Sequence, residues 1–189
     1  GGVQGSVATV AVEVAFAPAV VVTARDNQGN TATAFTGTVT VAIGTNPGAG
    51  TLAGTNAVAA TAGVASFPGL SINRTGTGYT LTATTPGLTG TVSTAFEITP
   101  RPATELVFTV QPSNATAGES IAPPVQVTAH DDVGNVASGF TGKVTVALAT
   151  NPDGGTLSGT TTAAAVAGVA TFAASSIDKI GSGYRLATT

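Results

Sequence analysis

From Pro18 onward the sequence repeats itself at a distance of 105 residues, without a gap, as far as Thr84 and Thr189. About 38 of the 67 aligned pairs are identical. The shared runs include VTA, D-x-x-G-N, FTG, VTVA, TNP, GTL, GVA, SI and G-x-G-Y. Identity at this level with no insertion means that one folding unit occurs twice, rather than one unit with internal pseudo-symmetry. The problem therefore reduces to the fold of a single unit of ordinary domain size. Thr99-Pro100-Arg101-Pro102-Ala103 is the expected linker, because two prolines two apart restrict φ and favour an extended backbone. The expected domains are 1–99 and 100–189, standing in line as a rod-like array, a mechanical rather than a catalytic geometry.

Inside each copy the apolar residues recur with period two. Val20, Val22 and Ala24 alternate with other residues, as do Val125, Val127 and Ala129. TVTVAI (38–43), KVTVAL (143–148), VASF (64–67), YTLTA (79–83) and VSTAFEI (92–98) follow the same rule. Alternation of this kind places one apolar face on each strand. Gly, Pro and Asn cluster between the runs, in TNPGAG, TNPDGG, RTGTG and TPGLTG. Strands at roughly ten-residue spacing with such breaks predict an all-β sandwich. No helix is expected, and the Ala-rich 163–166 stretch lies between strand signals.

The ends of the two copies differ. ELVFTVQPSNATAGESI (105–121) reads as a first strand leading into the second copy, whereas the corresponding GGVQGSVATVAVEVAFA shares almost no identity with it. The second copy carries no counterpart of 86–99, which holds a final strand in the first. This predicts an excerpt or processed fragment of a longer array. The alternative is that a neighbouring subunit supplies the strand by β-augmentation, with the strongly alternating VATVAVEVAF (7–16) as the donor.

Composition excludes several kinds of chemistry. Charged residues are 8% of the chain, against about 25% in ordinary soluble domains. Aromatics are 5%, so the core must be built from small and β-branched side chains. The net charge is −3, and six Lys and Arg are spread over the whole length. Nucleic-acid binding by phosphate neutralisation needs them clustered. Cysteine is absent, which removes disulfides, thiolate metal sites and cysteine nucleophiles. No apolar run approaches the ~18–20 residues of a membrane helix, and GGVQGSVATV lacks the basic and apolar regions of a signal peptide.

RDNQGN (25–30) returns as HDDVGN (130–135). An EF-hand loop needs oxygen ligands at alternating positions and a Glu at the twelfth. The residue in that position after Asp26 is Gly37, so the pattern fails. A type I turn favours Asp first and Gly fourth. Asp26, Gly29 and Asn30, like Asp131, Gly134 and Asn135, satisfy that turn and are read as structural residues. A calcium site on Asp26, or on Asp131 and Asp132, stays open as the alternative. No other cofactor is expected.

Tyr79 and Tyr184 are the only tyrosines and are equivalent by the repeat. In immunoglobulin-like sandwiches a Tyr two residues before a core position of strand F ties a corner through its hydroxyl. Leu81 and Leu186 would take that core position. Stacking on a ligand is the sharper reading of these tyrosines, and the corner is the preferred one. Phe35, Phe140, Phe67 and Phe172 are expected in the core. Asn46 and Asn151, each followed by Pro, read as turn residues.

Catalysis has little support. His130 is the only histidine, and its repeat partner is Arg25, so neither a Ser–His–acid set nor a two-histidine metal site recurs. Adjacent Asp131 and Asp132 would point to opposite faces of a strand. A Lys–Asn crosslink at Lys143 is not shared, because its counterpart is Thr38. Asn73-Arg74-Thr75 and Asn114-Ala115-Thr116 are glycosylation sequons.

With VTARDNQGN, FTGTVTVAI, TNPGAGTLAGT, GVASFPGLSI and GTGYTLTAT, the chain resembles the bacterial immunoglobulin-like tandem repeats of large exported surface proteins, such as invasin and intimin stalks. The resemblance covers nearly all of 17–189. It implies a non-enzymatic structural module of an extracellular or cell-surface stalk, fibre or adhesin. The implied partners are neighbouring repeats or other copies of the protein. A module that binds a glycan or host protein through end loops such as 45–50, and an accessory domain of a secreted enzyme, are the alternatives.

Overall fold

The computed structural model describes Gly2, Val3 and 9–188. All regular structure among these residues is β. The chain divides into two compact units, Gly1–Pro100 and Arg101–Thr189.

The first unit contains β1 (Gly2–Val3), β2 (Thr9–Ala11), β3 (Val20–Thr23), β4 (Thr38–Ile43), β5 (Leu52–Ala53) and β6 (Ala57–Ala59). It continues with β7 (Val64–Phe67), β8 (Ser71–Ile72), β9 (Gly76–Tyr79), β10 (Leu81–Thr84), β11 (Thr91–Val92) and β12 (Phe96–Thr99). Its sheets run β1-β3-β7, β11-β10-β4-β6, β2-β12-β9 and β5-β8. Several small sheets around one interior are the arrangement of the β-sandwich class. The burial of β4 and β7 alternates strictly, with Val39, Val41, Ala65 and Phe67 inward.

The second unit contains β13 (Glu105–Val110), β14 (Val125–His130), β15 (Lys143–Thr150), β16 (Leu157–Ser158), β17 (Thr162–Ala164), β18 (Val169–Phe172), β19 (Ser176–Ile177) and β20 (Arg185–Thr188). Its sheets are β13-β14-β18, β17-β15-β20 and β16-β19. The Ala-rich stretch is therefore partly a strand, because β17 pairs with β15. Its interior is formed by Ile121, Val125, Val127, Val144, Val146, Ala165, Ala170 and Phe172.

The repeat extends to the pairing register. Val20 faces Phe67 as Val125 faces Phe172. Thr38 faces Ala59 as Lys143 faces Ala164, and Leu52 faces Ile72 as Leu157 faces Ile177. Gly2 faces Thr23 as Val107 faces Thr128. That last correspondence falls where sequence identity has vanished. Backbone pairing carries the register there, since ladder hydrogen bonds do not depend on side-chain identity.

Two expectations need correction. The 92–98 segment is not one alternating strand. It breaks between β11 and β12, where the Ser93 hydroxyl accepts the Leu81 N–H at 2.9 Å and takes the place of a ladder carbonyl. The break disrupts the alternation, so Val92 is 61% exposed while Phe96 and Ile98 are buried. Phe35 and Phe140 are half-buried, Phe140 packing against the edge of the second unit's core, unlike Phe67 and Phe172 at 0%. Each of their rings lies over the glycine two residues on. A Cβ on Gly37 would come within 2.7 Å of the Phe35 ring, and one on Gly142 within 2.6 Å of Phe140. This close approach explains the repeated FTG.

Phe67→Ala and Phe172→Ala each remove a fully buried ring. Each should destabilise its own unit by about 3–5 kcal/mol, measured as a lowered denaturant midpoint at amides of that unit.

Candidate functional site

The D-x-x-G-N segments close equivalent hairpin-like turns. Arg25 bridges to Thr31 and His130 to Val136 across their bases. In the first unit the Asp26 N–H donates to the Asn30 carbonyl at 2.9 Å, and the Gly29 N–H to the Asp26 carbonyl at 3.2 Å. Oδ1 of Asp26 accepts the N–H groups of Gln28 (3.0 Å) and Asn30 (2.8 Å), and Oδ2 accepts the Asn30 side-chain amide (3.2 Å). Gly29 stands at φ +86°, the left-handed geometry that L residues resist. The Asn30 hydrogen bonds, backbone first and side chain second, hold the Asp26 carboxyl below the usual carboxylate range.

Asp131 repeats this geometry in a buried setting. Its Oδ1 accepts the N–H groups of Val133 (3.1 Å) and Asn135 (2.8 Å), and its Oδ2 accepts the Arg101 N–H (3.2 Å). Burial pushes its pKa up, but the N–H donors of Asn135, Arg101 and Val133 outweigh burial and the net shift is downward. Asp132 turns outward and takes Arg101 Nη1 on both oxygens, at 3.1 and 2.9 Å. The two carboxylates thus diverge, and they do so because the turn reorients them rather than because they sit on a strand. Among the described residues no three His, Cys, Asp or Glu side chains gather around a common point. The oxygens of Asp26 and Asp131 that calcium would use face N–H donors.

The tyrosines sit unequally. The Tyr79 ring is fully buried, and its hydroxyl donates to the Arg74 carbonyl, five residues upstream, at 3.0 Å. The Tyr184 ring is only half-buried. Its hydroxyl is shielded from solvent and has no hydrogen-bond partner among the described residues. Desolvation raises the pKa of both hydroxyls, and for Tyr184 the charges of Asp153 and Asp178 raise it further. Leu81 is buried as expected, whereas Leu186 is half-buried.

Further polar residues make specific backbone contacts that sequence reading did not define. Asn46 spans its loop with a pair of 2.8 Å bonds to the Gly50 N–H and carbonyl, and Asn151 does the same at Gly155 with 2.7 and 2.8 Å. The Asn73 side-chain oxygen accepts the Thr51 N–H, and Asp178 accepts the Thr156 N–H in its place. Arg101 joins the linker to the Asp131 turn. The exchange of Asn73 for Asp178, which preserves an acceptor oxygen, was the one available signal in the sequence.

No protein-family model matches this chain, and no curated protein sequence matches it.

Tyr79→Phe should cost about 1 kcal/mol through the lost hydrogen bond, while Tyr184→Phe should cost nothing or stabilise. Paired denaturant titrations compare them. Asp131→Ala leaves buried N–H donors unpaired and should cost about 1–3 kcal/mol. Because folding lowers its pKa, Asp131 contributes fully above the unfolded value of about 4. That contribution is lost as the pH falls through the lower folded value. Asp131→Asn should therefore flatten the acid limb of a melting-against-pH profile in the second unit. Millimolar calcium should leave the amide signals of 26–30 and 131–135 unmoved.

Proposed function

We propose that this chain is a non-enzymatic structural repeat module of an extracellular or cell-surface stalk, fibre or adhesin, built from two tandem immunoglobulin-like sandwiches. The observation that carries this reading is that five ladders recur in the same register at a spacing of 105 residues. A stalk needs such repetition, and a single catalytic site does not.

Support for the immunoglobulin-like part comes from the Tyr79 hydroxyl, which ties back to the backbone a few residues upstream as a tyrosine corner does. It also comes from the opening segment of the first unit, which serves two sheets. β1 pairs antiparallel with β3, and β2 pairs parallel with β12. The polar residues that recur between the copies, Asp26 and Asp131 or Asn46 and Asn151, bind the chain's own peptide groups. Recurrence thus follows the demands of folding rather than of a shared ligand.

Antibodies raised against the chain should label intact, unpermeabilised cells that produce it. Labelling that appears only after permeabilisation would overturn the proposal.

A further inference from the structure

Asp153 is the one Asp or Asn in the chain that a glycine follows. The order matters because the nitrogen of the next residue can reach the carboxyl carbon of an aspartyl side chain and close a five-membered ring. A side chain on that next residue hinders the approach, and glycine has none. The other aspartates, Asp26, Asp131, Asp132 and Asp178, precede Asn27, Asp132, Val133 and Lys179. Their carboxylates also hold backbone N–H groups or the Arg101 guanidinium.

The loop around Asp153 leaves both reacting groups open. Pro152, Asp153 and Gly154 are exposed, in a turn that Asn151 and Gly155 close. The Asn151 side chain donates to the Gly155 carbonyl at 2.8 Å and accepts the Gly155 N–H at 2.7 Å. Between them Gly154 stands at φ +64°. Even a Cβ there would meet nothing nearer than the Lys179 ammonium, at 3.9 Å. In the first unit the equivalent residues are Gly48 and Ala49, and the Ala49 N–H donates to the Asn46 carbonyl at 3.3 Å. The Gly154 N–H has no such bond among the described residues. The first unit thus has the same loop without the carboxyl, and with the corresponding amide held.

We propose that Asp153–Gly154 is a site of spontaneous isomerisation to isoaspartate, and that this change opens the Asn151 loop of the second unit alone. The Gly154 nitrogen forms a bond to Cγ of Asp153. The bond from Cγ to the carboxyl hydroxyl breaks, and the hydroxyl leaves as water with the proton of the Gly154 N–H. Water then adds to either carbonyl of the ring. Opening at Cγ restores aspartate, whereas opening at the main-chain carbonyl leaves the chain running through Cβ and Cγ. No oxidant, reductant or partner is needed, and mass is unchanged. The main chain between Asn151 and Gly155 becomes longer by one carbon, so the two side-chain bonds that span it no longer fit together. Asn46 and Gly50 keep theirs. The altered fraction grows with the age of the molecule. The proposal is independent of the surface-protein reading, and either can fail alone.

The test is incubation of the full chain for several weeks at mildly acidic pH, where aspartyl carboxyls keep some of the acid form from which water leaves. Isoaspartate is then located by fragmentation mass spectrometry of the digested chain and quantified by enzymatic methylation of its carboxyl. A steady rise is expected at residue 153, with a flat baseline at Asp26, Asp131, Asp132 and Asp178. In the altered fraction the nuclear magnetic resonance signals of the Gly155 amide and the Asn151 side-chain amide should shift, with those of Gly50 and Asn46 unmoved. Asp153→Glu, which would need a larger ring, and Gly154→Ala, which restores the residue of the first unit, should each slow the rise several-fold. Isoaspartate at residue 153 no higher than at the other aspartates would overturn the proposal. So would formation an order of magnitude more slowly in the intact chain than in the free peptide 150–158, because the fold would then close the site. Unmoved Gly155 and Asn151 signals in the altered fraction would overturn the opening of the loop.

Discussion

Every buried peptide group in a sandwich needs a partner, and this chain meets part of that need with short polar side chains at the breaks in its ladders. Asp26 and Asp131 gather the N–H groups of their turns. Asn46 and Asn151 imitate a strand partner for Gly50 and Gly155. Ser93 stands in for a carbonyl opposite Leu81. The cost of an unpaired buried peptide group makes such residues as necessary as the apolar ones. In a chain with so little charge, Asp, Asn, Ser and Thr serve the backbone before they serve a ligand.

Much of this was legible in the sequence, and the reason differs from element to element. β4 and β7 followed from alternation, because the period of two is a direct consequence of strand geometry. The D-x-x-G-N turns followed from the residues a type I turn requires. The core role expected of Phe35 and Phe140 was half right. An aromatic residue beside a glycine can cover that glycine instead of entering the interior, and composition does not distinguish the two. The break at Ser93 was hidden for a similar reason. Val92, Phe96 and Ile98 keep an even spacing in sequence, but the interruption removes the common face that such spacing assumes.

The inequality between Tyr79 and Tyr184 belongs to a different class. Their local sequences are nearly identical, and the difference lies in what surrounds them. Tyr79 is covered by β12 and completes its hydrogen bond, whereas among the described residues Tyr184 has neither. A property that depends on a distant strand cannot be read from the residues next to it. The same holds for Arg101, which looked like part of a plain linker until the Asp131 turn was seen beside it.

That contact gives the entry to the second unit a particular mechanics. Tension arriving through Pro100 would reach Arg101 first, where the grip is one peptide N–H on Asp131 and a guanidinium on Asp132. Beyond it lies the β13–β14 ladder, whose strands are antiparallel from Glu105 opposite His130 to Val110 opposite Gln126. A pull along β13 towards its start loads these hydrogen bonds sideways and together, rather than one after another as in unzipping. The start of the second unit is thus held by two unlike kinds of contact, a solvent-exposed charged pair and a row of peptide hydrogen bonds, and salt weakens only the first.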